Sequence, residues 1–323
     1  MNSPPAAPLG TVGTNIAGEY DGQFVGIVLA ACLSGITIVQ GWIYVNDNRD
    51  SWMLRCLVLC LILADLTTSA LDLKVMHRNL VENFGDLEAL VQAHLDIISE
   101  YALTVVVVFL VQLFFLTRIY LLKQKRWWLP TVIGAFAAGG FVTGIMAIHL
   151  LNQHPRVAFL TNTESKILFG VNGGFSVAAD VLITLCLTWS LASAKRGIKR
   201  SDNILQKLLL YIVSRGLLVA ITQLLFLILY LVKPGALWWV PFHFILSKLY
   251  VITMVAMLNG RTSFRAQEDQ IQSSTSMFTH SEPLPYRRHI NVHKSRELTR
   301  FDEEDEEGGH DNEGEFKPEG ALV

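Results

Sequence analysis

A chain of 323 residues with 51% hydrophobic and only 17% charged side chains is too apolar for an ordinary soluble domain, in which about a quarter are charged. The net charge of -2 hides a split. Ten of the 28 acidic residues lie between Asp302 and Glu319, and residues 1–301 carry 25 basic against 18 acidic groups. The sequence has no nucleotide-binding loop and no soluble catalytic motif, so neither an enzyme nor a nucleic-acid partner is expected.

Seven apolar stretches follow in chain order, at about 22–45, 54–76, 96–122, 128–151, 166–192, 207–232 and 237–258. With a rise of about 1.5 Å per residue, each can cross the hydrocarbon core of a bilayer. Backbone groups in lipid must satisfy one another, so such stretches are helices. The expected fold is all-α: a seven-helix transmembrane bundle over 22–260, with the lipid bilayer as its first partner. Segment 1–21 precedes it and lacks the basic residues of a cleaved signal peptide. The tail, 261–323, is polar, has little apolar periodicity and reads as disordered. It holds a basic patch (Arg287, Arg288, Lys294, Arg296, Arg300) before its acidic end. That arrangement suits contact with the inner leaflet or a cytosolic partner, altered by phosphorylation at Ser273, Ser274, Thr275 or Ser276.

Lys and Arg set the orientation. Loops one, three and five and their flanks carry eleven, from Arg49 to Lys207; the opposite side carries five, from Lys74 to Lys233. The positive-inside bias puts the N-terminus outside and the C-terminus in the cytosol, and the plasma membrane is the expected location. Trp127–Trp128 and Trp238–Trp239 open spans four and seven, where paired indoles suit the headgroup layer. Cys32, Cys56, Cys60 and Cys186 all fall within spans, and Cys56 with Cys60 lacks the further ligands a zinc site requires. No metal site is expected.

The informative residues are the ionisable ones inside the spans, because a charge at the bilayer centre costs about 2.5–3.5 kcal/mol on insertion scales. Asp65 and Asp72 lie about two turns apart on one face of span two. Glu100 lies in the outer part of span three, Asp180 near the middle of span five, Arg215 in the inner half of span six and Lys248 in span seven. These six residues are the expected intramembrane polar network or ligand pocket. Lys248 is expected to pair with Asp65 or Asp180, and Gln112, Asn172, Gln223 and His243 to complete the network. Spans one and four carry no Asp, Glu, Lys or Arg and read as lipid-facing or packing helices. Gly140 with Gly144, and Gly170 with Gly174, have the spacing that lets backbones approach. A lysine in a seventh helix invites a retinal Schiff base, as in rhodopsins. The centre of span three, from Ala102 to Leu116, offers no counter-ion, so no cofactor is expected.

The segments Gln112 to Tyr120, Ala178 to Thr184, Ser201 to Leu205, Ser247 to Tyr250 and Leu258 to Arg261 form an ordered set. Together they resemble a family of seven-helix fungal membrane proteins, abundant in basidiomycetes and catalogued as the DUF6534 domain family. The resemblance implies the fold and the membrane location, and no activity. Three functions remain open. The first is a receptor or sensor with a polar pocket for a small-molecule ligand, lined by Asp72, Glu100, Asp65 and Lys248. The second is a transporter or proton-coupled carrier relaying through Asp65, Asp180 and Lys248. The third is a structural membrane protein whose charges serve packing.

Overall fold

The structure is a computed structural model. It describes residues 13–48, 50–83, 95–122, 128–154, 157–195 and 202–279, with backbone alone for 13–20, 122, 157, 158, 190–195, 202–215 and 261–279. The described residues form α1 (Gly13–Asp47), α2 (Trp52–His77), α3 (Leu95–Leu122), α4 (Trp128–Gln153), α5 (Thr163–Lys195), α6 (Asp202–Val232) and α7 (Val240–Thr279), and contain no strand. A π-helical turn, Arg78–Glu82, extends α2, and short 3-10 turns (Val157–Thr161, Pro234–Ala236) precede α5 and α7. Among the described residues, six helices are long and apolar enough to cross a membrane. In α6 the apolar described segment is Gly216–Val232.

Local chemistry sets several boundaries. Pro130 and Pro241 occupy the first turns of α4 and α7, where a missing N–H costs nothing. Beyond the last apolar turn, α7 continues to Thr279, so the expected start of an unstructured tail at 261 is corrected. The residues after Gly260 include good helix formers (Arg265, Ala266, Gln267, Glu268) and no proline before Pro283. A nucleated helix propagates through such a stretch. Residues 280–323, including the basic patch and the acidic end, lie outside the described residues, as do residues 1–12 of the N-terminal segment.

Side-chain contacts give the helix directions. Gly26 lies against Pro241 and Asn48 bonds Asn259, so α1 runs parallel to α7. Tyr101 meets Asn172 and Gln112 meets Asp180, while Glu100 meets His243 and Asp180 meets Tyr250 further along, so α3 and α5 do too. Ser69 meets Ser34 and Ile62 meets Gly41, Leu231 faces Gly170 and Leu227 faces Gly173, and Leu116 faces Gly134 while Val105 faces Gly144, so α2, α6 and α4 run the other way. The end where α1, α3, α5 and α7 begin is the upper end below.

The centre of the bundle is α7. Its apolar window is 72% buried, against 28–39% for the other five candidate spans. One face of it packs Leu246, Leu249, Tyr250, Met254 and Leu258 into the main core with Val58, Leu61, Val107 and Val111. At the lower end, Asn259 joins α7 to α1 by accepting from Asn48 Nδ2 (3.0 Å) and donating to the Gln40 carbonyl (2.9 Å). Arg55 holds the Asn48 carbonyl in turn.

Two sequence expectations are corrected by the packing. A Cβ on Gly173 would meet Leu227 Cδ1 at 2.8 Å and one on Gly170 would meet Leu231 at 3.1 Å, whereas Gly174 has nothing within 4 Å. Helix α6 crosses the face shared by positions 170 and 173, and position 174 is turned away from it. Trp239 is not an interfacial anchor: its indole donates to the Pro234 carbonyl (3.0 Å) and its ring packs on Phe226, Tyr230 and His243. Trp238 is the exposed member of the pair, with Lys233 Nζ 5.4 Å from its ring centre.

Candidate functional site

The polar side chains of the bundle interior fall into two groups along α7. The upper group forms around Lys248, which is completely buried. Its ammonium donates to Thr68 Oγ1 (2.8 Å) and lies 3.3 Å from Asp72 Oδ2. The expected pairing of Lys248 with Asp65 or Asp180 is therefore corrected to Asp72. The reason is geometric. Side chains lean toward their helix N-terminus, and the N-terminal end of α7 lies beside the C-terminal end of α2, where Asp72 is. Val240 opens α7, so Lys248 lies only about 12 Å below that end at 1.5 Å per residue.

Asp65 remains close enough to Lys248 to interact electrostatically, but neither of its carboxylate oxygens has a hydrogen-bond partner among the described residues. Ser34 and Thr37 of α1 are its hydroxyl neighbours. Each is engaged elsewhere: Ser34 Oγ with Ser69 Oγ (2.7 Å), and Thr37 with the Leu33 carbonyl (3.3 Å). Next to this group, Glu100 bridges Thr104 Oγ1 (2.9 Å) and His243 Nε2 (3.0 Å). The His243 ring is stacked on Tyr101 at 5.7 Å and flanked by Phe226, Trp239 and Phe244. Asp72, Glu100, Lys248 and His243 thus form two adjacent buried acid–base pairs, with aromatic rings around His243. Burial of this kind is sustained only when both members are present.

The lower group is Asp180 with Gln112 and Tyr250. Gln112 Nε2 donates to Asp180 Oδ1 at 3.0 Å, and the Tyr250 hydroxyl donates to Oδ2. These three side chains bridge α3, α5 and α7 and form a septum across the space between them.

A cavity lies above the septum. Tyr101, Thr104, Phe109 and Gln112 of α3, Gly140 and Phe141 of α4, Asn172 and Ser176 of α5, Gln223 and Phe226 of α6, and His243 and Leu246 of α7 line it. Asn172 is anchored by the Gly140 carbonyl (2.7 Å) and Tyr101 (3.4 Å), which gives the small residues of α4 a role in holding this wall. Gln223 is buried, and its carboxamide oxygen has no hydrogen-bond partner among the described residues. An unsatisfied buried acceptor costs about 1–3 kcal/mol, so this oxygen favours an incoming donor. Below the septum a second space is lined by Asp180, Ile183, Thr184, Leu187, Gly216, Val219, Tyr250, Thr253, Met257 and Phe115.

Of the expected site residues, the structure gathers Asp72, Glu100, Lys248 and His243 at one place, with Asp65 beside them, and Asp180 with Gln112 at another. Asn172 and Gln223 are on the cavity wall. The side chain of Arg215 lies outside the described residues. Tyr250, Thr68, Thr104 and Ser176 are additional members. The sequence signal for Tyr250 is its phenol two turns after His243 on the same face of an apolar helix. No group of three His, Cys, Asp or Glu side chains placed to hold a metal occurs among the described residues.

Residues 176–263 match a family described as "Family of unknown function (DUF6534)". The match takes in Asp180, Gln223, His243, Lys248 and Tyr250 but not Asp65, Asp72, Glu100 or Gln112. No curated protein and no solved structure matches the chain.

Proposed function

We propose that the chain is a seven-helix integral membrane protein of receptor or sensor type, with its N-terminus outside and the lower end of the bundle toward the cytosol. On this reading α6 also crosses the bilayer, bringing the spans to seven, and the protein lies in the plasma membrane. A small ligand bearing a hydrogen-bond donor occupies the upper cavity. One observation carries the reading: Gln223, whose carboxamide oxygen has no hydrogen-bond partner among the described residues, lines a pocket that His243, Asn172, Ser176 and Gln112 also line. Ligand sites have this character, mostly apolar walls with a few convergent polar groups. The long extension of α7 toward Thr279 would carry occupancy to the cytosolic side.

The test is a thermal-shift screen of purified protein against small amines, alcohols and amides. A compound at about 100 times its dissociation constant should stabilise the wild type by about 2.7 kcal/mol. Gln223→Leu should fold with nearly unchanged stability and lose that response. Equal stabilisation of both proteins would remove Gln223 from the ligand site.

A second reading, a proton-coupled carrier, is favoured by a different observation. The upper cavity and the lower space follow one another along α3, α5, α6 and α7, with the hydrogen-bonded Gln112, Asp180 and Tyr250 at the level between them. A carrier of this kind predicts proton-linked uptake into proteoliposomes, abolished by Asp180→Asn in protein that still folds. Uptake retained in that variant would exclude Asp180 as the relay.

A further inference from the structure

The space below the septum differs chemically from the cavity above it. Its walls are apolar, formed by Phe115, Ile183, Leu187, Val219 and Met257, and only its roof is polar. Every hydroxyl in that roof already donates. Thr184 Oγ1 donates to the Asp180 carbonyl and Thr253 Oγ1 to the Tyr250 carbonyl, each at 2.8 Å. Tyr250 donates to the Asp180 carboxylate, and Gln112 donates to it from above. The Thr184 and Thr253 hydroxyl oxygens therefore present lone pairs to the space, their protons being already engaged. Such a surface recognises a donor and rejects a carboxylate, an ether or a ketone.

The mouth of the space is lateral. Phe115, Thr184, Gly216 and Met257 are partly exposed although their neighbours Ile183, Leu187 and Val219 are buried, so the cleft opens on the flank of the bundle. Gly216 keeps it narrow, because α6 comes so close to α5 there that a Cβ would lie 2.5 Å from Thr184 Oγ1. A narrow apolar slot with hydroxyl acceptors in its roof suits one alkyl chain with a donating head. An ammonium head at that depth carries a charge penalty that a hydroxyl avoids.

We propose that the cleft between α5, α6 and α7 binds a single-chain, membrane-dissolved alcohol, entering from the bilayer with its hydroxyl toward Asp180, Thr184 and Thr253 and its chain along Ile183, Leu187, Val219 and Met257. This site is separate from the upper cavity and stands whether or not that cavity holds a ligand. Gln112, which lines the cavity above and donates to Asp180 below, is the one side chain through which occupancy of the cleft reaches it.

The experiment is photolabelling of the full chain in phosphatidylcholine nanodiscs with a long-chain alcohol carrying a diazirine in its chain. Crosslinks should concentrate on peptides containing 183–187, 219 and 257. Unlabelled long-chain alcohol should compete, whereas its methyl ether, the matching amine and a sterol should compete at least about tenfold more weakly. Val219→Phe, which fills the slot, should reduce labelling about tenfold. Thr184→Val removes one acceptor without changing shape, should also weaken labelling, and decides the matter if Val219→Phe does not fold. Labelling spread over lipid-facing residues such as Leu185 and Leu217, or unaffected by both variants, would overturn the proposal. So would equal competition by the ether, the amine or the sterol.

Discussion

Lys248→Met lowers the unfolding free energy of the bundle by about 3–5 kcal/mol, the usual cost of removing one member of a buried ion pair. The methionine fills the volume of the lysine stem, so no large cavity opens. What changes is that Asp72, at 1% exposure, loses its cation, and Thr68 Oγ1 loses its donor. Asp65, whose carboxylate has no hydrogen-bond partner among the described residues, loses the favourable charge of Lys248 as well. Adding Asp72→Asn should restore most of the loss, making the double variant more stable than Lys248→Met alone. Lys74→Met is the control. Lys74 pairs with Asp96 at 2.9 Å but is 58% exposed, and an exposed pair contributes at most about 1 kcal/mol. The measurement is a denaturant titration in mixed micelles of all four proteins. Equal stability of Lys248→Met and wild type would show that Lys248 and Asp72 do not pair.

Gly26→Leu prevents assembly of the bundle. A Cβ at this position would lie 2.6 Å from Pro241 Cα and 3.0 Å from Pro241 Cβ, which is backbone and ring, not a flexible tip. Pro241 cannot yield, because its φ is fixed and it lies in the first turn of the central helix. Overpacking costs about 1–3 kcal/mol by itself. Here it also pushes α1 off α7 and strains the Ser34–Ser69 and Asn48–Asn259 bonds. The loss should exceed about 3 kcal/mol, read as a fall in monodisperse protein on size-exclusion chromatography. Gly35, nine residues along the same helix, has nothing within 4 Å of its would-be Cβ, and Gly35→Leu should be neutral. Comparable yields from both variants would contradict the packing of α1 on α7.

The helices were legible in the sequence because a bilayer demands long, uniformly apolar stretches, and that demand leaves a strong signal. Polar residues that matter were legible for the complementary reason: Asp72, Glu100, Asp180 and Lys248 are expensive in such stretches. Their pairing was not. Assigning Lys248 to its partner requires the start of α7 to within a turn and the lean of the side chain, and hydropathy gives neither. Thr68, Thr104 and Thr184 left no signal, because a hydroxyl that bonds its own helix costs little in an apolar span. The two indoles at 238 and 239 were indistinguishable as a pair; both lie in the turn before α7, and only Trp239 is folded back onto the Pro234 carbonyl and the His243 ring. The helical run past Gly260 was hidden by its polarity, which resembles that of a disordered segment although its residues favour helix.

The most direct test of a ligand-binding upper cavity is native mass spectrometry of the protein extracted from its own host, beside a Ser176→Phe variant that fills the cavity. Ser176 is 7% exposed and lies on the cavity wall. The wild type should carry a small molecule with an amine, hydroxyl or amide donor, and the filled variant should fold without it. Wild-type protein bare of any such molecule, and unshifted in melting temperature by the amines, alcohols and amides of the thermal-shift screen, would contradict the account.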